Sequence, residues 1–282
     1  MLARPVVARQ LVAREPVAGH ALARAVAAFL VGIAAAASTV AGAQEGAPRV
    51  PARTILAIGA HAGDMELTTG AVLAGARQRG DRVVLLHLTL GEGGNPALSP
   101  AAYGDQKRRE ALAVGAALGA EVRFAPYRDG ELPDDNAARR YVADVIREVR
   151  PTHVFTHWKD GMHKDHIAAS AIARDAVLLA SLAGVVTDHP AWRGVRAVWY
   201  ADNWEDAPGF APFVYVAVGD AFETWRSAVV RYEFVGGRIS SFPYLDYYTA
   251  LATVRGAVAG KGRAVSFAIE PFGQRRVLDS IP

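Results

Sequence analysis

Residues 54–70 read TILAIGAHAGDMELTTG, and this stretch decides the fold. Ile55-Leu56-Ala57-Ile58 is a short apolar run of the length expected for a buried strand, and it ends at Gly59-Ala60. His61, Asp64 and Glu66 follow within six positions, ahead of a small-residue segment, Leu67 to Gly75, with helical spacing. The pattern is strand, tight turn, helix, with polar groups at the carboxyl end of the strand. In open α/β sheets ligands bind outside those strand ends. A His and an Asp three residues apart on such a turn can reach one metal ion.

Outward from this stretch the chain alternates. Strands are expected at Thr54–Ala60, Arg82–Leu90, Glu121–Tyr127, His153–His157 and Val195–Tyr200. Helices are expected at Leu67–Arg79, Asp105–Leu118, Asp135–Val149 and Asp165–Leu182, with a Gly/Pro-rich loop at Gly91–Tyr103. The last part is less regular. It predicts a strand at Phe213–Val218, a helix at Ala221–Phe234, an aromatic stretch from Phe242 to Tyr248, and a strand at Ala264–Ile269. Strands separated by helices of this length predict a Rossmann-like α/β fold, a parallel sheet with helices on both faces and right-handed crossovers. No repeat and no linker divides residues 44–282, which are expected to form one domain.

Half of the 282 residues are hydrophobic, enough for one sizeable core. The absence of Cys excludes disulfides, thiolate metal sites and Cys nucleophiles, so any zinc site must use His and carboxylate. The first turn reads G-A-H-A-G-D and lacks the glycines of G-x-G-x-x-G, which argues against a dinucleotide on this architecture.

A second cluster, Thr156-His157-Trp158-Lys159-Asp160-Gly161-Met162-His163-Lys164-Asp165-His166, follows the fourth strand and opens a helix. Asp64 or Asp165 alone reads most simply as a helix N-cap. In a parallel sheet, however, the ends of the first and fourth strands share one edge, so the two clusters can face each other. The simplest arrangement puts His61, Asp64 and His166 on one divalent ion, zinc or another, and leaves an open position for water. His163 and Asp165 then form a neighbouring pair in which the carboxylate orients the imidazole and keeps it protonated.

These motifs resemble those of the PIG-L/LmbE-like deacetylases, zinc-dependent hydrolases of N-acetyl groups on amino sugars. The family's A-H-P-D-D-x-E turn is matched by Ala60-His61-Ala62-Gly63-Asp64-Met65-Glu66, and its H-P-D-H by His163-Lys164-Asp165-His166. Its T-x-G-E-x-G loop resembles Thr89 to Gly94. Its basic-x-x-Glu helix start resembles Lys107 to Glu110, and its D-G resembles Asp129-Gly130. The resemblance implies that His61, Asp64 and His166 bind zinc. It implies that His163, supported by Asp165, stabilises the oxyanion or protonates the leaving amine. Glu66, Glu92, Lys107 and Asp129 are then the substrate-binding residues, and the substrate is a small-molecule or glycan amino sugar.

One departure bears on mechanism. The family's general base is the first Asp of the D-D pair, and that position is Gly63 here. Asp160 is the first candidate to replace it, because it shares a loop with His163 and His166; Glu66, Glu205 and Asp206 are further candidates. If none serves, the chain is a catalytically weak relative that keeps its metal and binds carbohydrate.

The N-terminus reads as a secretory leader. Arg4, Arg9, Arg14 and Arg24 precede an apolar run, Ala25 to Ala37, and a small-residue cleavage pattern, Ala41-Gly42-Ala43. The run is shorter than the roughly 20 residues that span a bilayer. Removing residues 1–43 lowers Lys+Arg from 31 to 27 and Asp+Glu from 28 to 27, so the mature chain is neutral. It carries no basic patch to suggest nucleic acid. Export to the periplasm or the extracellular space is expected, without stable membrane insertion after cleavage. Intact-mass analysis of exported protein is expected to find a chain beginning near Gln44; a species still carrying residues 25–43 overturns this reading.

Overall fold

The computed structural model describes residues 52–205 and 208–275. The leader expected at residues 1–43 and the candidate base Asp206 lie outside the described residues. A seven-stranded sheet has the order β3-β2-β1-β4-β5-β7-β6. Its strands are β1 (Thr54–Gly59), β2 (Arg82–His87), β3 (Glu121–Phe124), β4 (His153–His157), β5 (Ala197–Ala201), β6 (Val214–Ala217) and β7 (Ala264–Ala268). The first five are parallel, and β1 pairs directly with β4 from Ile55↔His153 to Ala57↔Phe155. That register brings the turn after β1 beside the loop after β4.

The apolar run reads correctly as a strand because both faces of β1 are covered. Ile55 and Ala57 pack into one core with α1 (Asp64–Gln78), α2 (Pro100–Leu118), α5 (Ala221–Val229) and α6 (Tyr244–Val258). Leu56 and Ile58 pack into a second, aliphatic core with α3 (Asn136–Val149) and α4 (Lys164–Ser181). A strand buried on both sides carries no polar alternation.

Three sequence expectations change. The sheet is mixed, because β7 runs antiparallel to both β5 and β6; apolar runs encode burial and not strand direction. Helix α2 begins at Pro100, five residues before Asp105, because Ser99 Oγ caps it by accepting from Ala102 N at 3.3 Å and Pro100 suits the first helical turn. The aromatic stretch from Phe242 runs into α6, an unforeseen helix whose tyrosines and small residues pack on the sheet.

Helix α4, which carries His166, is anchored at its far end by Arg147 of α3. This guanidinium is buried and donates to the carbonyls of Leu179, Ala180, Leu182, Val185 and His189 and to Thr187 Oγ1 at 2.7–3.2 Å. It satisfies carbonyls that a helix C-terminus otherwise leaves open. Arg147→Met is therefore expected to cost at least about 2–3 kcal/mol, read as a lower urea midpoint at unchanged slope. An unchanged midpoint refutes the anchoring role.

Candidate metal centre

The turn after β1 is built around Gly63, whose φ of 113° lies in a region that L side chains rarely adopt. Asp64 Oδ2 accepts the backbone N–H of His61 at 2.7 Å, and Glu66 Oε2 accepts that of Gly63 at 3.3 Å. The Lys107 ammonium donates to the Ala62 carbonyl. A Cβ placed on Gly63 meets Phe234 Cζ at 2.8 Å and Lys107 Nζ at 3.6 Å. The space beside Gly63 is thus sealed by a ring and faced by a cation. An Asp placed at position 63 alone collides with Phe234 and strains the turn.

His61, Asp64 and His166 do come together. Nδ1 of His61 lies 3.2 Å from Nε2 of His166 and 3.3 Å from Asp64 Oδ2, and the third side of the triangle is 3.5 Å. A tetrahedral ion with ligands at about 2.0–2.1 Å has donor–donor edges of about 3.3–3.4 Å. The donor set and its spacing therefore fit a zinc ion with one open position. His157, from the end of β4, adds an unassigned neighbour. Its Nε2 accepts from Ala60 N at 3.0 Å and lies 3.1 Å from Asp64 Oδ2, and its ring stacks on His166 at 4.1 Å.

Carboxylates back the two imidazoles. Asp129 Oδ1 is 3.0 Å from His61 Nε2, and Asp165 Oδ2 is 3.6 Å from the same atom. Glu205 Oε1 is 2.7 Å from His166 Nδ1. Burial opposes protonation of His61, but Asp64, with Asp129 and Asp165, holds it well above the usual imidazole range. Burial likewise opposes protonation of His166, but Asp64 and Glu205 raise it to about 9. Burial, then the charge on His166, pushes His157 down to about 4. Burial disfavours the Asp64 carboxylate, yet His166 and His61 hold it well below the usual range.

The remaining expected residues divide. Lys107 and Asp129 line the cleft above the three donors, with His163, Glu205 and the aromatic residues Tyr103, Trp204, Phe234, Tyr244 and Tyr248. Burial pulls Lys107 down to about 8 against the pull of Asp64 and Glu66. Glu92 and Glu66 do not line it. Glu92 accepts from Asp129 N at 3.0 Å and so ties two loops together. Glu66 is wholly buried beneath the turn, where Tyr232 donates to it at 2.6 Å.

Asp160, the first choice for a base, is exposed and accepts from Gly161 N in its own loop, outside the cleft lining. The His163–Asp165 pair also differs from expectation. Asp165 meets His163 through its backbone N–H, which donates to Nδ1 at 3.1 Å, while its carboxylate accepts from Gly130 N at 2.7 Å. Burial, with His61 and His166 nearby, pushes His163 down, so it is a neutral imidazole whose hydrogen sits on Nε2. The aromatic wall was visible in the sequence as Trp204 and the 242–248 stretch, but nothing in either segment announced which edge it would cover.

Both imidazoles are held above the usual range in the absence of metal, so binding of an ion competes with protons. Zinc uptake is therefore expected to expel protons and to strengthen as pH rises towards about 9. Calorimetry in buffers of different ionisation enthalpy measures this directly. Asp64→Ala and His166→Ala are expected to abolish the site of about one zinc per chain, and elemental analysis finding undiminished zinc in both refutes the ligand assignment.

The model of the PIG-L family, GlcNAc-PI de-N-acetylase, matches residues 56–177. A 1D-myo-inositol 2-acetamido-2-deoxy-alpha-D-glucopyranoside deacetylase of Rhodococcus erythropolis is 31% identical over 246 residues, 76% of this chain and 80% of that protein. A 4-oxalmesaconate hydratase of Pseudomonas putida is 24% identical over 226 residues, 77% of this chain and 85% of that protein. A conserved protein of Thermus thermophilus superposes with a TM-score of 0.70 at 27% identity, covering 82% of this chain and all of that one. The ligand turn, the strand-end histidines and the sheet around them agree with that kinship, and the chain belongs to the PIG-L/LmbE-like family.

Proposed function

We propose that the protein is an exported, zinc-dependent hydrolase that removes an N-acetyl or similar N-acyl group from an amino-sugar substrate. The observation that carries this reading is the triangle of His61, Asp64 and His166, with edges of 3.2–3.5 Å, at the floor of an aromatic-walled cleft. A zinc ion bound there supplies Lewis acidity and lowers the pKa of water at its open position. His163, with Nδ1 held by the backbone of Asp165, offers Nε2–H as a donor to the amide oxygen as charge develops on it. Lys107 adds positive charge on the side where the relatives carry a base. Trp204 and Tyr244 line the cleft as aromatic rings on which the apolar side of a sugar ring can stack.

The three carboxylates lining the cleft are already engaged: Asp64 with the histidines, Asp129 with His61 and Gly93 N, and Glu205 with His166 and Met162 N. Among the described residues, no carboxylate of the cleft lining is left unengaged to act as a general base, which predicts slow amide hydrolysis, lower by a factor on the order of 10²–10⁴. The same observation favours a second reading. A cation in place of the base suits a carboxylate-bearing substrate, and the relative from Pseudomonas putida is named a hydratase. On this reading water adds to a double bond and no amide is cleaved.

The discriminating experiment incubates zinc-loaded protein with N-acetylglucosaminyl-inositol, N-acetylated chitooligosaccharides and an unsaturated oxo-polycarboxylate. Equal release of free amine and acetate is expected, abolished by His166→Ala and reduced roughly 10²–10³-fold in kcat by His163→Ala. Loss of the conjugated absorbance of the polycarboxylate, without amine release, selects the second reading. Saturable sugar binding with neither reaction identifies a metal-bearing binder.

A further inference from the structure

Glu205 follows β5 and is distant in sequence from every expected ligand, yet its side chain is almost completely buried, at 1% exposure, against the metal centre. Its two oxygens are divided between two partners. Oε1 lies 2.7 Å from His166 Nδ1, and Oε2 accepts from Met162 N at 2.9 Å in the loop before α4. The His166 ring thus has a carboxylate at ion-pair distance from its outer nitrogen and the His157 ring stacked on its face at 4.1 Å. What remains free is Nε2, directed at His61 Nδ1 and Asp64 Oδ2. Gly161 makes the arrangement sterically possible, because a Cβ there would stand 2.6 Å from Glu205 Oε2.

We propose that Glu205 is a positioning residue, whose carboxylate holds the outer nitrogen of His166 so that Nε2 is presented to the metal in one orientation and one tautomer. This rests on the metal reading given under Proposed function. It replaces a general-base role for Glu205 with one that acts through a ligand. An imidazole lacking such a partner rotates about its Cβ–Cγ bond and exchanges tautomers, and loss of the outer hydrogen bond typically weakens metal binding by about 10–100-fold. Asp129 stands in the same relation to His61, at 3.0 Å, and both carboxylates line the cleft, but the Asp129 side chain is 14% exposed. Glu205 is the drier of the two, and it makes the loop after β5 part of the metal centre.

The test is chelator competition for zinc on the full-length parent and on Glu205→Ala, Glu205→Gln, Glu205→Asp and Gly161→Ala, with thermal unfolding of each zinc-free protein as a control. Glu205→Ala is expected to weaken zinc roughly 10–100-fold with the zinc-free unfolding temperature nearly unchanged, and Glu205→Asp to recover part of the loss. Gly161→Ala, which leaves every charge in place, is expected to weaken zinc by displacing the carboxylate. In the zinc-loaded parent the His166 Nδ1–H proton is expected as a downfield resonance that moves upfield or vanishes in Glu205→Gln. Parent-like zinc affinity in both Glu205→Ala and Gly161→Ala overturns the proposal. A parent that binds no zinc overturns the metal reading itself, a different failure. Should Glu205→Ala not fold, Glu205→Gln and Gly161→Ala decide alone, by affinity and by the resonance.

Discussion

The constraint on which the rest of the structure depends is the placement of one largely buried carboxylate, that of Asp64, at the ends of two adjacent strands. A carboxylate largely removed from water is costly unless it is paired and hydrogen-bonded. Here His61, His157 and His166 stand within 3.1–3.5 Å of a single Asp64 oxygen, and the His61 backbone N–H reaches it as well. Parallel pairing of β1 and β4 makes this convergence possible, because it places two loops more than ninety residues apart in sequence on one sheet edge.

Around that carboxylate the charges are layered. The histidines beside Asp64 are themselves backed by carboxylates, Asp129 and Asp165 behind His61 and Glu205 behind His166. Alternation of this kind raises both imidazoles above their usual range and turns their inner nitrogens towards one another and towards Asp64. The substitution at Gly63 has a structural counterpart in the segment between α5 and α6. Phe234 fills the space a side chain would need, and Lys107 lies 4.1 Å from the centre of that ring. Gly63 thus stands against an apolar and cationic wall that leaves no room beside it for a side chain.

Much of this was legible in the sequence. The strand–turn–helix at residues 54–70, the alternation of elements and the two polar clusters that meet at the strand ends all follow from local pattern, because a doubly buried strand, a turn glycine and a run of histidines and carboxylates each leave a mark within a few positions. The tertiary structure decided what depends on distant partners. The direction of β7 comes from its neighbours and not from its own apolar run. Glu66, five residues beyond His61, points beneath the turn because Tyr232 is there to donate to it. Asp160 and Glu205 look alike as loop acids in the sequence, yet one is exposed and the other is buried on His166, because only the register of β4 with β5 determines which loop folds over the metal centre. A residue's chemistry is written in its type and its immediate spacing; its role is set by whichever groups the sheet brings within about 3 Å of it.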